Sequence, residues 1–174
     1  MNAALPRAGP APGLEGEDPL ARYRPNVGVV LFSRDGRVWL GRRANTPGPF
    51  NWQFPQGGVD KNEELLSAAR RELEEETGVV SCQLLGRTEG WIAYDFPEGH
   101  QGSKIAKGWL GQKQVWFALR FTGPESEINL YSHPHIEFDD WRWADIDEAP
   151  ELVVPFKRPT YEQVVGAFRR YAAR

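Results

Sequence analysis

The chain predicts an α/β fold, a sheet sandwiched between helices, and three observations predict it. Short apolar runs of strand length lie on both sides of one central amphipathic stretch at residues 63–77. A second amphipathic stretch closes the chain. With 174 residues, 40% of them hydrophobic, the chain suffices for one domain with a substantial core.

Residues 1–22 are rich in Ala, Pro and Gly without apolar periodicity, the composition of a disordered tail, so the domain is expected over 23–174. Residues 27–32 read as a buried strand and 37–42 as a second, joined at Asp35-Gly36, a typical hairpin pair. Residues 51–54 form a short extended piece leading into Gly57-Gly58. Residues 91–96 and 114–121 read as strands, the second enriched in β-branched and aromatic residues. Between them, residues 97–111 carry four glycines and three charged residues and read as a mobile surface loop. Residues 141–144 are a late strand. After Pro159, the spacing of Tyr161, Val164, Val165 and Phe168 is helical. There is no internal repeat.

The central stretch, GGVDKNEELLSAARRELEEETGV at 57–79, carries the chemistry. On a helix, Glu72, Glu75 and Glu76 fall within about 100° of one another, while Glu74 points away. Like charges at i,i+4 repel, so a helix that keeps three carboxylates beside an apolar stripe uses them. Clustered oxygen ligands suit hard cations, Mg²⁺ first and Mn²⁺ next. Gly57 and Gly58 are expected to adopt conformations closed to other residues and to let a phosphate or metal reach the main chain. Asp60 or Asn62 is the expected N-cap, with Leu66, Ala69 and Leu73 as the buried stripe and Gly78 as the C-cap. Arg71 can pair with Glu75 or with Glu63.

A net charge of −3 and a pI near 5.7 argue against broad binding to duplex DNA, while leaving open the grasp of one phosphorylated end. The single cysteine, Cys82, cannot form an internal disulfide and fits a reducing cytoplasm. No apolar run reaches membrane-spanning length, and the start lacks the apolar core of a secretory signal.

Gly57, Glu63, Arg71-Glu72-Leu73, Glu75-Glu76 and Gly78-Val79 fill every fixed position of the Nudix box, and the chain resembles the Nudix hydrolases, which cleave pyrophosphate linkages in nucleoside diphosphates joined to another moiety. The resemblance extends over about 23–171. Tyr23 to Gly28, Trp52 to Gly58, Gly111 to Gln114 with Trp116-Phe117, Glu127 to Asn129, Glu137-Phe138 with Trp141 to Trp143, and Phe156 to Arg158 recur in the branch of bacterial RNA pyrophosphohydrolases and diadenosine tetraphosphate hydrolases. It implies the Nudix fold, an α/β/α sandwich with a mixed sheet and a loop–helix–loop box. It also implies a metal site of Gly57, Glu72, Glu75, Glu76 and Glu137, holding Mg²⁺ or Mn²⁺, more than one ion per site. Bound divalent ions neutralise a polyphosphate and acidify water, and Glu75 or Glu76 is the expected base.

Arg24, Arg43, Lys113 and Lys157 are basic residues within the matching stretches and suit a phosphate chain. Tyr94, Phe156 and Trp52 could stack on a base, with packing the expected role of Trp52, Trp116 and Trp143. His133 and His135 flank Pro134 without a cysteine or third histidine nearby, too few ligands for a transition-metal site. The expected activity is removal of pyrophosphate from the 5′-triphosphate end of RNA, promoting mRNA decay. The alternatives are a dinucleoside polyphosphate hydrolase that splits diadenosine tetraphosphate into ATP and AMP, and a silent Nudix fold used for binding, which the full set of carboxylates disfavours.

Overall fold

The computed structural model describes residues 18–100 and 102–173; residues 1–17, most of the expected tail, lie outside them. Residues 18–22 form a turn in which the Asp18 carboxylate accepts from the Leu20 amide at 2.9 Å.

Two long strands form the spine. β1 (Tyr23–Phe32) runs parallel to β7 (Gly111–Phe121), paired from Tyr23↔Gly111 to Phe32↔Arg120. Both are Val/Phe-rich and buried on both faces, as parallel strands between helices must be. β2 (Val38–Arg43) leaves β1 through the expected Asp35-Gly36 turn, where Gly36 has φ 84°. It pairs on one side with β3 (Trp52–Gln53) and on the other with β8 (Phe138–Ala144). β4 (Gln56–Gly58) lies antiparallel to the start of β1. β5 (Cys82–Arg87) and β6 (Ile92–Asp95) pair antiparallel with opposite ends of β7. No strand is expected from sequence at 82–87, because Gln83, Gly86 and Arg87 break the alternation; in the structure Gln83, Leu84 and Arg87 are exposed.

The helix of the acidic stretch, α1 (Leu65–Thr77), covers one face of this mixed sheet, packing Ala68, Ala69 and Leu73 against Val29, Leu31, Val115 and Phe117. α2 (Ser103–Ala106) is a single turn within the expected loop. α3 (Ala149–Leu152) and α4 (Arg158–Phe168) cover the other face, where Tyr161, Val164, Val165 and Phe168 meet Val30, Leu40, Phe54 and Trp116. The result is the expected α/β/α sandwich.

α1 starts differently from expectation. Its N-cap is Glu64, which makes no side-chain capping bond. Asp60 and Asn62 stand in the preceding turn instead, closed by Glu63 N–H to the Asp60 carbonyl (3.1 Å), with the Glu63 carboxylate accepting from the Asp60 amide (2.9 Å). Leu66 is only half-buried; Ala68 takes its place in the stripe. Gly78 ends the helix as expected, left-handed at φ 77° and donating to the Glu74 carbonyl.

Candidate active site

A cleft of about 340 Å³ opens at the end of the spine where β1 and β7 begin, with α1, β4 and the α3–α4 connection around it. Its walls are separated by charge.

The acidic side comes from α1 and β8. Glu72 and Glu76, one helical turn apart, line the cleft with Glu137, which immediately precedes β8. Arg71 holds this side in shape: it bonds Glu63 and Glu72, each at 2.8 Å, reaches Glu75 at 3.4 Å and donates to the Gly58 carbonyl at 2.9 Å. Burial raises the Glu72 carboxyl above its usual range despite Arg71. Glu76 is raised further, by burial first and then by the charges of Glu137 and Glu72, although its Oε2 accepts from the Gln56 amide at 3.2 Å. Glu75 is placed on the rim: its side chain is 41% exposed, pairs with Arg71 and does not line the cleft.

The two glycines of β4 let side-chain ends approach the main chain closely. Neither has a positive φ, contrary to the conformational role expected of them. A Cβ on Gly57 would stand 1.9 Å from Cδ of Glu72, and one on Gly58 would stand 2.1 Å from Nη2 of Arg24. The bare main chain therefore lies directly against an acid and a base.

The cationic side carries Arg24, Arg43, Lys104 and Lys157. Arg43 reaches toward Glu137 at 3.8 Å, and its buried Nε has no hydrogen-bond partner. Lys157 donates to Oε1 of Gln53 at 3.4 Å; burial, with Arg43 and Lys104 nearby, lowers its pKa to about 7. Lys104 is also lowered, by burial and then by Arg24. Rings complete the lining: Tyr94 and Phe156 lie 5.8 Å apart, Phe96 stacks on His100 at 5.4 Å, and His100 meets Phe156 edge-on at 6.1 Å.

A buried amide ladder fixes these groups. The Gln112 amide donates to the Tyr94 hydroxyl, and its Oε1 accepts from Arg24 (3.3 Å) and Asn26 (3.1 Å). Gln114 donates to Asn26 Oδ1 at 2.7 Å and accepts from the Trp116 indole at 3.2 Å.

Of the residues expected at the site, the structure brings together Gly57, Glu72, Glu76, Glu137, Arg24, Arg43, Tyr94, Phe156 and Lys157. Lys113 is a correction. Strand alternation sends Gln112 to the cleft, with Gln114 buried on the same face, and Lys113 to the opposite face, over the Trp91 ring at 5.1 Å and 3.7 Å from Asp18. Sequence reasoning missed Asn26, Gln53, Gln112, Phe96, His100 and Lys104; period-2 alternation back from Trp116 was the available signal for Gln112. Trp116 is buried packing, as expected, and Trp52 is half-buried beneath Arg142. His135 lines the cleft with its side chain 87% exposed, 3.3 Å from Glu137.

Among the described residues no three acidic, His or Cys side chains converge on one point, since Glu72 is turned to Arg71 and Glu137 to Arg43 and His135. The donor set still fits a hard divalent cation: carboxyls raised by burial first and then by neighbouring acidic charge, beside a glycine main chain that a side chain would crowd.

A mixed sheet lies between helices, and an acidic helix faces a cationic cleft. The chain belongs to the Nudix family: the NUDIX domain model matches residues 22–164. It is 67% identical over 152 residues to the RNA pyrophosphohydrolase of Caulobacter vibrioides, covering 87% of this chain and 88% of that protein. It is 47% identical over 153 residues to the RNA pyrophosphohydrolase of Acidiphilium cryptum, covering 86% and 92%. Among solved structures, the E. coli dihydroneopterin triphosphate pyrophosphohydrolase shares the fold at a TM-score of 0.63 and 24% identity, covering 83% of this chain and 98% of that one. The C. elegans Ap4A hydrolase, as a binary complex, does so at 0.59 and 16%, covering 84% and 98%. Nudix hydrolases generally need divalent metal ions. No helix among the described residues is long and apolar enough to cross a membrane.

Proposed function

We infer that the chain is an RNA pyrophosphohydrolase, removing pyrophosphate from the 5′-triphosphate end of RNA and leaving a 5′-monophosphate that opens the transcript to decay. The carrying observation is the cleft itself, where Arg43, whose buried Nε makes no hydrogen bond, three further cations and aromatic rings face Glu72, Glu76 and Glu137. A terminal triphosphate needs the cations, a terminal base the rings, and the carboxylates suit divalent ions. The 67% identity to a protein of that name supports the same reading.

Glu72, Glu76 and Glu137, with the Gly57 carbonyl and Glu75 from the rim, would hold Mg²⁺ or Mn²⁺, more than one ion per site. Such ions neutralise phosphate charge and make water more acidic. Arg24, Arg43, Lys104 and Lys157 would bind and straighten the phosphate chain, while Tyr94 and Phe156 receive the terminal base. Water attacks phosphorus, the anhydride P–O bond breaks with pyrophosphate leaving, and the water's proton passes to the Glu76 carboxylate. Glu75 is the weaker candidate for base, being exposed and engaged by Arg71. The expected compartment is the cytoplasm.

The second ring pair, Phe96 and His100, favours one further reading, a dinucleoside polyphosphate hydrolase that accommodates a second base. Turnover with Mg²⁺ on 5′-triphosphorylated RNA and on diadenosine tetraphosphate, with products identified, tests both. Pyrophosphate from RNA supports the first, ATP plus AMP with RNA untouched supports the second, and no turnover of either overturns both.

A further inference from the structure

Arg24, Gln112 and Tyr94 stand on one rung of the sheet. Arg24 pairs with Gln112 across β1 and β7, and Tyr94 with Gln112 across β6 and β7. Gln112 is thus the middle group: its Oε1 accepts from Arg24 at 3.3 Å and its amide nitrogen donates to the Tyr94 hydroxyl. All three line the cleft. Two residues further along the strands Asn26 lies beside Gln114, and two further again Gly28 lies beside Trp116.

The polarity of this column is set from its buried end. An indole nitrogen and a guanidinium can only donate, whereas a carboxamide takes both roles and can turn either way. The Trp116 indole donates to Gln114 Oε1 at 3.2 Å, which turns the Gln114 nitrogen to Asn26 Oδ1 at 2.7 Å and to Gln56 Oε1 at 3.3 Å. The Asn26 nitrogen is thereby turned to Gln112 Oε1 at 3.1 Å, and that same oxygen receives Arg24. Reversed, Gln112 would aim its NH₂ at the guanidinium, donor against donor. Gly28 gives the indole its place, since a Cβ there would stand 2.3 Å from Cε3 of Trp116. Asn26, Gln112, Gln114 and Trp116 are all buried, where water does not compete and each bond polarises the next.

We propose that Gln112 is a positioning residue that holds the Arg24 guanidinium and the Tyr94 ring in one fixed relation, and that the Trp116 indole N–H sets its orientation through Gln114 and Asn26. The inference rests on the RNA pyrophosphohydrolase reading, in which Arg24 takes the phosphate chain and Tyr94 the terminal base. A group that keeps both receivers in register lowers the ordering cost of binding and takes no part in bond breaking. Its loss therefore falls on KM and not on kcat.

The test measures KM and kcat on 5′-triphosphorylated RNA with Mg²⁺ for wild type, Gln112→Met, Trp116→Phe and the double variant, each corrected for its folded fraction by thermal melting. Gln112→Met removes the polar atoms at nearly constant length. It should raise KM by about tenfold, the scale of one hydrogen bond to a charged group, with kcat within about twofold. Trp116→Phe alters no residue that lines the cleft, yet should raise KM by about threefold, a fraction of that bond. Because the indole acts through Gln112, the double variant should match Gln112→Met alone. Gln114→Leu cuts the relay at a second point and should repeat the Trp116→Phe result, which keeps the test decisive if the indole variant does not fold. Unchanged KM in Gln112→Met overturns the positioning role, and so does a loss confined to kcat. Effects that multiply in the double variant overturn the relay, since Trp116 then acts through packing alone. Those outcomes in an active wild type overturn the inference by itself, whereas a wild type inert on the RNA overturns the RNA reading and the inference with it.

Discussion

The two halves of the β1–β7 pair are built to opposite rules. At the far half, Val29 to Phe32 lie beside Phe117 to Phe121 in an almost wholly apolar environment. At the cleft half, the same two strands bury Asn26, Gln112 and Gln114, whose amides are satisfied only by one another and by neighbouring polar groups. A satisfied amide network rigidifies but contributes little net stability, whereas the apolar half gains from every buried methylene. The cleft half goes further and places Glu72, Glu76 and Glu137 within reach of one another's charge. Stability therefore resides at one end of the spine, and chemistry is placed at the other at some cost to it.

Glu76→Gln separates the two most sharply. Turnover should fall by about a thousandfold or more, the loss of a base that also serves a metal site. The fold should become more stable without divalent ions. Because the carboxyl is raised in the folded protein, the native state holds a proton that the unfolded chain releases, so this group's contribution falls as pH climbs above the ordinary carboxylate range. Gln keeps an acceptor for the Gln56 amide and does not titrate. Thermal melts in chelator should show the variant about 2–4 °C above wild type at pH 8, with the gap narrowing toward pH 5. A lower melting temperature at pH 8 would contradict the division.

Leu119→Ala probes the other half. Leu119 is fully buried, and its truncation should cost about 2–5 kcal/mol by denaturant unfolding. The kcat of the folded fraction should change less than about twofold, since the Gly57 and Gln112 levels of the site lie roughly 13–23 Å away along the strands. A proportionate loss of kcat would mean the halves are coupled.

Gly57→Ala returns to the cleft. The new methyl must displace the Glu72 carboxylate, which Arg71 grips at 2.8 Å. Activity should fall about ten- to a hundredfold, the usual scale for disturbing a ligand's support, with the melting temperature shifting by only a few degrees. Full activity would show that Glu72 can move freely.

The same division decided what could be read from sequence. α1 and its acidic face were legible because helical spacing and fixed box positions act within one continuous stretch. α4 was legible through Tyr161, Val164, Val165 and Phe168, all buried as their spacing required. The cleft's polar half was not, since Asn26, Gln112 and Gln114 carry no charge to draw notice and acquire meaning only when β1 and β7 pair. Lys113 drew notice by its charge and faces the wrong way. Lys104 and His100 come from a glycine-rich stretch without periodicity, and only the tertiary fold brings that stretch over the cleft.

Lys157 gives the smallest effect and ties the halves together. It is buried, and its pKa falls to about 7 through that burial and through Arg43 and Lys104, against the pull of Glu137 and Glu76. The unfolded chain keeps this proton to about pH 10, whereas the folded protein releases it above about 7. In that window the unfolded state binds more protons, so the group's share of stability rises with pH. Phosphate affinity runs the other way, because only the ammonium form binds an anion. KM for a triphosphorylated dinucleotide should climb by about threefold between pH 7 and 8 in wild type and stay flat in Lys157→Arg, whose guanidinium remains charged. A bound triphosphate draws the proton back, so kcat should change less than KM over the same range. If KM is equally flat in both proteins, Lys157 is charged throughout and the cleft is wetter than its packing indicates.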